Sequence, residues 1–590
     1  MIRYRLDFAG YRQHYLEVTA TIPADGLGTI ELFLPTWTPG SYLIREYARH
    51  LEQIRLLHGS AKRLDRLSKN RWRVSCASSP EVVVSYRIYA RELTVRTNFV
   101  DNDLALINGA ATFLTRPDQL GCPHQLVLEP TPQWSSVATS LREVPGAGRT
   151  FQAADYHELV DSPLLLGDLD RQSFSAAGRP LELVSVGDLQ RWNLPQAASD
   201  VQRIVETEHQ FWGDVPYDRY LFLNLVLEGF GGLEHDNCCV LLTTRGAMRD
   251  PERYREWLEL VCHEFFHTWN VRRLRPMALQ AYDYEQETLL PELWVAEGMT
   301  SYYDQLLLAR SGLFSETDYL QALSKTIKGV QEAPGRTVQS VADASREAWI
   351  KFYRPDENST NSRISYYTKG ALIAWLLDAA LRRTTDDRHS LDDVMRRLWR
   401  QHQPTGYRQQ DVLILVSELA GVDVASQLER WIEGCDELDF QPALDWWGLR
   451  WAVEPAATAQ ATSPVSNPPG SAPPKAWLGW ELAEPAGRVV IKRILRDGPA
   501  ARGGLQVDDE LIAVDGLRAE PGKVADQLQH VWDGAPVRVT VARRGRIRDC
   551  EVTPTGEPTA SWRLEPDPEA SSSSQQHRLA WLGNNGNQSR

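Results

Sequence analysis

Long apolar runs are missing from this 590-residue chain; none approaches the roughly 20 residues that a membrane-spanning helix needs. Cysteine is scarce too: seven, an odd number and scattered, which argues against a disulfide framework and for a reducing compartment. The first residues, Met1-Ile2-Arg3-Tyr4-Arg5-Leu6-Asp7-Phe8, alternate from the outset and lack the apolar core of a signal peptide, so a cytoplasmic location is expected. Basic residues are outnumbered, 64 Lys and Arg against 78 Asp and Glu, and the formal charge of −14 argues against nucleic-acid backbones and anionic membranes as principal partners. Gly-x-Ser-x-Gly is absent, which weakens any reading as a serine hydrolase with a nucleophile elbow.

At this length one hydrophobic core cannot serve the whole chain, and two to four folded units are expected. From Ile2 to about Leu165 short β-branched segments such as Val82-Val83-Val84-Ser85-Tyr86-Arg87-Ile88-Tyr89 alternate with turn residues, the pattern of an antiparallel β domain. From about Pro180 to Trp451 the periodicity reads as helical, notably over Pro251 to Leu274, Pro291 to Arg310 and Tyr366 to Arg382. Asp250-Pro251 and Leu290-Pro291 look like helix entries, because proline at the first helical position gives up no intrahelical hydrogen bond. The stretch 454–475, rich in Pro, Ala and Ser, reads as an exposed linker, and strand and turn patterns resume over 476–556. Residues 557–590 are expected to be a disordered tail. The fold class is therefore multidomain α+β, with a β domain over 1–170 and a mainly helical domain over 171–453.

Within the helix that starts near Pro251 stands His263-Glu264-Phe265-Phe266-His267. Positions four apart differ by about 40° around a helix, so both imidazoles leave one face and can share a cation, with Glu264 beside it as a general base. A third ligand is offered by Glu297 in Trp294-Val295-Ala296-Glu297-Gly298-Met299. Two histidines and one glutamate leave zinc's fourth position open, and this donor set favours zinc over magnesium or calcium. The class of zincin with glycine and a third histidine three and six positions on is excluded, since Asn270 and Arg273 stand there.

These motifs, with Leu34-Pro35-Thr36-Trp37-Thr38-Pro39-Gly40-Ser41-Tyr42, Arg275-Pro276 and Trp294 to Tyr303, make the chain resemble the glycyl aminopeptidase family, zinc peptidases of the gluzincin (thermolysin-like) group with a PDZ domain near the C-terminus. The resemblance implies one zinc ion per chain, peptide substrates, and preference for small N-terminal residues, glycine and alanine above all. Gly231-Gly232-Leu233-Glu234-His235 resembles the Gly-x-x-Glu segment with which larger zinc aminopeptidases bind the substrate's α-amine; Glu234 is then the amine anchor, Gly231 and Gly232 border the substrate, and His235 departs from the asparagine of those enzymes. Tyr366-Tyr367-Thr368-Lys369-Gly370 resembles their Tyr-x-Lys-Gly, which makes Tyr367 the phenol that stabilises the oxyanion, with Tyr366 as its competitor.

Trp477-Leu478-Gly479-Trp480 resembles a PDZ carboxylate-binding loop, so Leu478, Gly479 and Trp480 are expected to receive a peptide C-terminus. Beside the aminopeptidase two other activities fit these features. One is a zinc endopeptidase guided to its substrates by the PDZ domain; the other is a non-catalytic PDZ adaptor, which the intact Glu264 disfavours. Turnover of a free-amine peptide against its N-acetylated copy separates the two enzymes.

Overall fold

The computed structural model describes residues 1–57, 63–76, 79–131, 133–134, 136–453, 475–532, 534–556 and 562–583. All but the last residue of the expected 454–475 linker lies outside the described residues. The chain divides into two compact units, one of Met1–Phe314 with Asp392–Leu415, the other of Ser315–Leu391 with Val416–Arg590.

The first unit opens with a seven-stranded sheet in which β1 (Ile2–Asp7), β2 (Tyr15–Pro23) and β3 (Glu81–Tyr89) lie side by side, antiparallel. In β1 the residues Ile2, Tyr4 and Leu6 are buried while Arg3 and Arg5 face out, the alternation expected of a sheet with one covered face. The sheet is not wholly antiparallel: β1 also pairs in parallel with His124–Glu129, so the first strand sits inside the sheet rather than at its edge.

A second sheet follows in a region whose pattern had read as helical. It holds β4 (Asp170–Ala176), β5 (Arg179–Gly187), β6 (Tyr220–Leu227), β7 (Gly231–Glu234) and β8 (Cys238–Thr244), in the order β4-β5-β6-β8-β7. The reason for the misreading is burial. In β6 every residue from Tyr220 to Val226 is buried, and a strand covered on both faces is a continuous apolar run without the period-two signal. β7 closes the sheet on one side and has no strand partner on its outer edge among the described residues.

Helix α1 (Leu194–Trp212) and helix α2 (Pro251–Phe266) pack together next to this sheet. The entry of α2 is as expected: Pro251 follows Asp250, whose carboxylate accepts from the Glu252 and Arg253 amides at 3.0 and 3.4 Å. The helix after Pro291 starts differently. A single π turn, Trp294–Met299, leads into α3 (Thr300–Arg310), and α3 packs on α2.

The second unit contains α4 (Glu316–Glu332), α5 (Tyr366–Thr385) and α6 (Gln441–Trp447), followed by β9 (Leu449–Val453). Its PDZ sheet runs β10 (Trp480–Ala483), β11 (Val490–Ile494), β12 (Glu510–Val514), β13 (Val537–Arg543), β14 (Arg546–Val552), with β10 at an edge. The tail corrects the sequence-based expectation of disorder. β15 (Trp562–Pro566) pairs antiparallel with β9, and α7 (Ser572–Trp581) packs on α6. Its polar composition hid two anchors: Trp581 is fully buried and stacks on Trp447 at 4.1 Å, and Arg578 donates to Glu316 at 2.7 Å and to the Trp447 carbonyl at 2.8 Å. The PDZ domain is thus an insertion whose two ends leave from one strand pair.

Candidate active site

Helix α2 presents His263 and Glu264, and His267 follows as its C-terminal cap. His263 Nε2 lies 3.1 Å from His267 Nε2, and Glu297 Oε2 is 3.4 and 3.2 Å from the two nitrogens. A tetrahedral ion with bonds of about 2.0 to 2.1 Å separates its ligands by about 3.3 to 3.4 Å, so this triangle has the right size for zinc.

The outer nitrogens fix the orientation. His267 Nδ1 donates to the Asn270 carbonyl at 2.7 Å, and His263 Nδ1 donates to Asp304 Oδ2 at 2.9 Å. Both Nε2 lone pairs therefore face one point, which only a proton or a cation between them makes stable. Burial would raise Glu297, but His267 and His263 outweigh it and hold that carboxyl well below the usual range.

Asn270 also shapes the other side of the triangle. Its amide donates to the Val295 and Ala296 carbonyls at 3.0 and 3.3 Å, groups at the start of the π turn that carries Glu297. Asn270 thus links the second histidine, through its backbone carbonyl, to the turn that carries Glu297, through its side-chain amide. Asp304 was not singled out from sequence, and Asn270 was named only for excluding the zincin class with a third histidine. Asp304 stands seven positions after Glu297, two helical turns on, a spacing that could have drawn attention to it.

Glu264 is only 5% exposed, and its Oε2 has no hydrogen-bond partner among the described residues. Burial raises its pKa, Glu234 adds to the rise, the two imidazoles and Arg96 oppose it, and the balance pushes it up to about 7. A dication in the ligand triangle adds positive charge beside the carboxylate and brings it down from there. Gly232 lies directly against this side chain: a Cβ there would stand 2.5 Å from Glu264 Cγ and closer still to the carboxylate.

Glu234 is 4% exposed, and its Oε1 likewise has no hydrogen-bond partner among the described residues. Ligand atoms of Glu234, Glu264 and His267 all lie within 4.8 Å of one another. A Cβ on Gly40 would stand 2.6 Å from both Glu234 oxygens and from Leu233 Cδ1, so the Pro39-Gly40-Ser41 turn of the β domain crowds this carboxylate. His235 belongs to a network that fastens the hairpin. Its Nδ1 is 3.0 Å from Asp161 Oδ1, Arg272 reaches Asp161 and Asp236 at 2.7 and 2.9 Å, and Arg273 donates to the Asp236 and Thr268 carbonyls at 2.9 Å. Glu234 is thereby held in register with the end of the histidine helix.

The remaining expected residues belong to the second unit. Tyr367, the second residue of α5, shares a 3.1 Å hydrogen bond with the Tyr353 hydroxyl; it is half-buried, whereas Tyr366 is fully buried. Leu478 is buried in the PDZ core with its carbonyl accepting from the Ala500 amide at 2.8 Å, and Gly479, at φ +70°, accepts from Leu495 at 2.8 Å. Trp480 begins the edge strand β10.

Residues 256–373 match the model for M61 glycyl aminopeptidase, residues 3–168 that for the peptidase M61 N-terminal domain, and residues 471–533 that for the PDZ domain. No curated protein matches the chain. An aminopeptidase N family protein from Idiomarina loihiensis is similar over 99% of this chain and 100% of its own, at 31% identity and a TM-score of 0.89. An M1 zinc metallopeptidase from Deinococcus radiodurans is similar over 74% of this chain and 94% of its own, at 14% identity and a TM-score of 0.46.

Proposed function

The chain belongs to the M61 glycyl aminopeptidase family and is a metallo-aminopeptidase, and from that premise we propose that it uses one zinc ion to remove small N-terminal residues, glycine and alanine, from peptides. The observation that carries this reading is Glu234: a buried carboxylate with an unpartnered oxygen, within 4.8 Å of Glu264 and His267. An ammonium paired with it leaves room for one residue before the reacting carbonyl, which is the geometry of an exopeptidase. The close approach of Gly40 to the same carboxylate supports a preference for small first residues.

His263, His267 and Glu297 would hold the ion; the two ligand groups of the site share His267, which supports a single ion. Zinc so held supplies Lewis acidity to the carbonyl and to water. Glu264 Oε2 takes the proton of the attacking water and delivers it to the leaving nitrogen. Glu234 fixes the ammonium, and Gly232 leaves the space in which Glu264 turns between the two tasks. Tyr367 is the oxyanion donor on the strength of its sequence motif, and its partial exposure suits that role better than the burial of Tyr366. The loop of Leu478, Gly479 and Trp480, beside the edge strand β10, is proposed to take peptide C-termini. None of the seven cysteines forms a disulfide, which supports the cytoplasmic assignment.

The test is turnover of glycyl and alanyl peptides against their N-acetylated copies, with zinc counted per chain. A free-amine preference of at least tenfold is expected, and equal cleavage of both would replace the exopeptidase with an endopeptidase.

A further inference from the structure

The free edge of β7 has a cation on it. Arg96, from the loop that joins β3 to the next strand of the β domain, donates from Nη2 to the Gly232 carbonyl at 3.0 Å. A Cβ on Gly231 would lie 3.8 Å from its Nη1, so the guanidinium spans the Gly231-Gly232 step. The backbone beneath it is fixed: the Arg96 amide donates to Thr94 Oγ1 at 3.1 Å, and the Arg96 carbonyl accepts from the Tyr47 hydroxyl at 2.8 Å. Arg96 also acts on Glu264 electrostatically, opposing the rise in its pKa.

Position along β7 sets an order. Glu234, which takes the ammonium in the reading above, stands at one end; Gly232, pressed against Glu264, marks the level of the chemistry; Gly231 and Arg96 lie past it. A strand rises about 3.3 Å per residue, so the anchors at Glu234 and at Gly231-Gly232 are separated by about 7 to 10 Å along the edge. An extended dipeptide or tripeptide spans a comparable distance from its ammonium to its terminal carboxylate. Guanidinium is the cation best shaped for a carboxylate, which it can hold through two parallel hydrogen bonds.

We infer that Arg96 anchors the C-terminal carboxylate of di- and tripeptides, so that the substrate is held by both ends and the enzyme completes the breakdown of short peptides. The inference rests on the aminopeptidase reading, because the amine end must sit on Glu234 for the other end to reach Arg96. It adds a second charged group that neither the metal motif nor the amine motif contains.

The zinc-loaded full-length enzyme should be assayed on Gly-Leu and Gly-Leu-Ala as free acids, as C-terminal amides and as N-acetylated free acids. Wild type is expected to prefer acid over amide in kcat/KM by about tenfold or more, as a charge-assisted bond implies. Arg96→Gln should bring that ratio close to one, and Arg96→Lys should restore part of it. Zinc content and melting temperature of each variant report on damage to the fold, which would depress acid and amide alike. Equal wild-type rates on acid and amide overturn the inference while a strong amine preference keeps the aminopeptidase reading. So does an acid-to-amide ratio unchanged by Arg96→Gln. Loss of the amine preference itself would overturn the reading on which both rest.

Discussion

Replacing Gly232 by alanine is the sharpest perturbation of this site, because the three atoms nearest its new methyl group all belong to Glu264, the proposed base. The backbone at Gly232 is not in the left-handed region, so alanine is conformationally allowed and the effect is purely steric. The new Cβ would lie 2.5 Å from Glu264 Cγ, where carbon atoms normally stay about 3.5 Å apart, so the side chain must retreat by about 1 Å. A displacement of that size costs on the order of 100-fold in rate when it moves a reacting group, and complete loss of a general base costs up to about 10,000-fold. We expect kcat on a glycyl or alanyl anilide to fall by about 100-fold or more, with zinc content unchanged since no ligand is touched. Gly329→Ala is the matched control: that glycine lies inside α4 with no neighbour near its would-be Cβ, and alanine there should stabilise the helix by about 0.5 to 1 kcal/mol without slowing turnover. A Gly232→Ala enzyme with wild-type kcat would show that Glu264 is not the base, or that β7 yields freely, and either result breaks the chain of reasoning from contact to catalysis.

Glu264→Gln should keep its zinc and lose turnover by 100-fold or more, whereas Glu297→Ala should lose the metal; metal analysis beside activity separates the two roles. Trp581→Ala should destabilise the helical unit by about 3 to 5 kcal/mol, and truncation after Lys475 should do at least as much harm, because the stack on Trp447 goes with it; unfolding curves decide. His124 is fully buried, and burial lowers its pKa from 6.5 to about 4, so its neutral form belongs to the folded state. The unfolded chain binds the extra proton first, stability is complete above pH 6.5 and is lost as pH falls toward 4, and between pH 8 and pH 5 the loss is about 2 kcal/mol; replacing His124 by glutamine should remove that part of the pH dependence of melting.

What could be read from the chain followed the range of each signal. The histidine pair needed only helix geometry, and Asp250-Pro251 needed only capping chemistry, so both were legible locally. Glu297 was legible as a motif, but its π turn was not, because a π turn is held by Asn270, which lies 27 positions earlier in the chain. The sheet from β4 to β8 escaped notice for the opposite reason: its inner strands β6 and β8 are so thoroughly buried that polar residues no longer mark one face. The tail was misjudged on composition, since two anchoring residues among serines and glutamines carry little weight in an average and all the weight in the docked helix.

Electrostatics explains why these separate contacts gather at one place. Glu234, Glu264 and Glu297 are all buried beside two imidazoles, and burying three carboxylates is tolerable only if positive charge comes to them. The metal answers Glu297, and Arg96 partly answers Glu264, yet Glu234 still raises the Glu264 pKa. A substrate ammonium on Glu234, in the proposed role, would offset that influence and raise the ionised share of Glu264, the form that accepts the water's proton. An acetylated amine brings no charge and leaves both carboxylates in competition. On the proposed role of Glu234, discrimination between the two substrates is expected at the chemical step as well as at binding, and kcat should be compared beside KM.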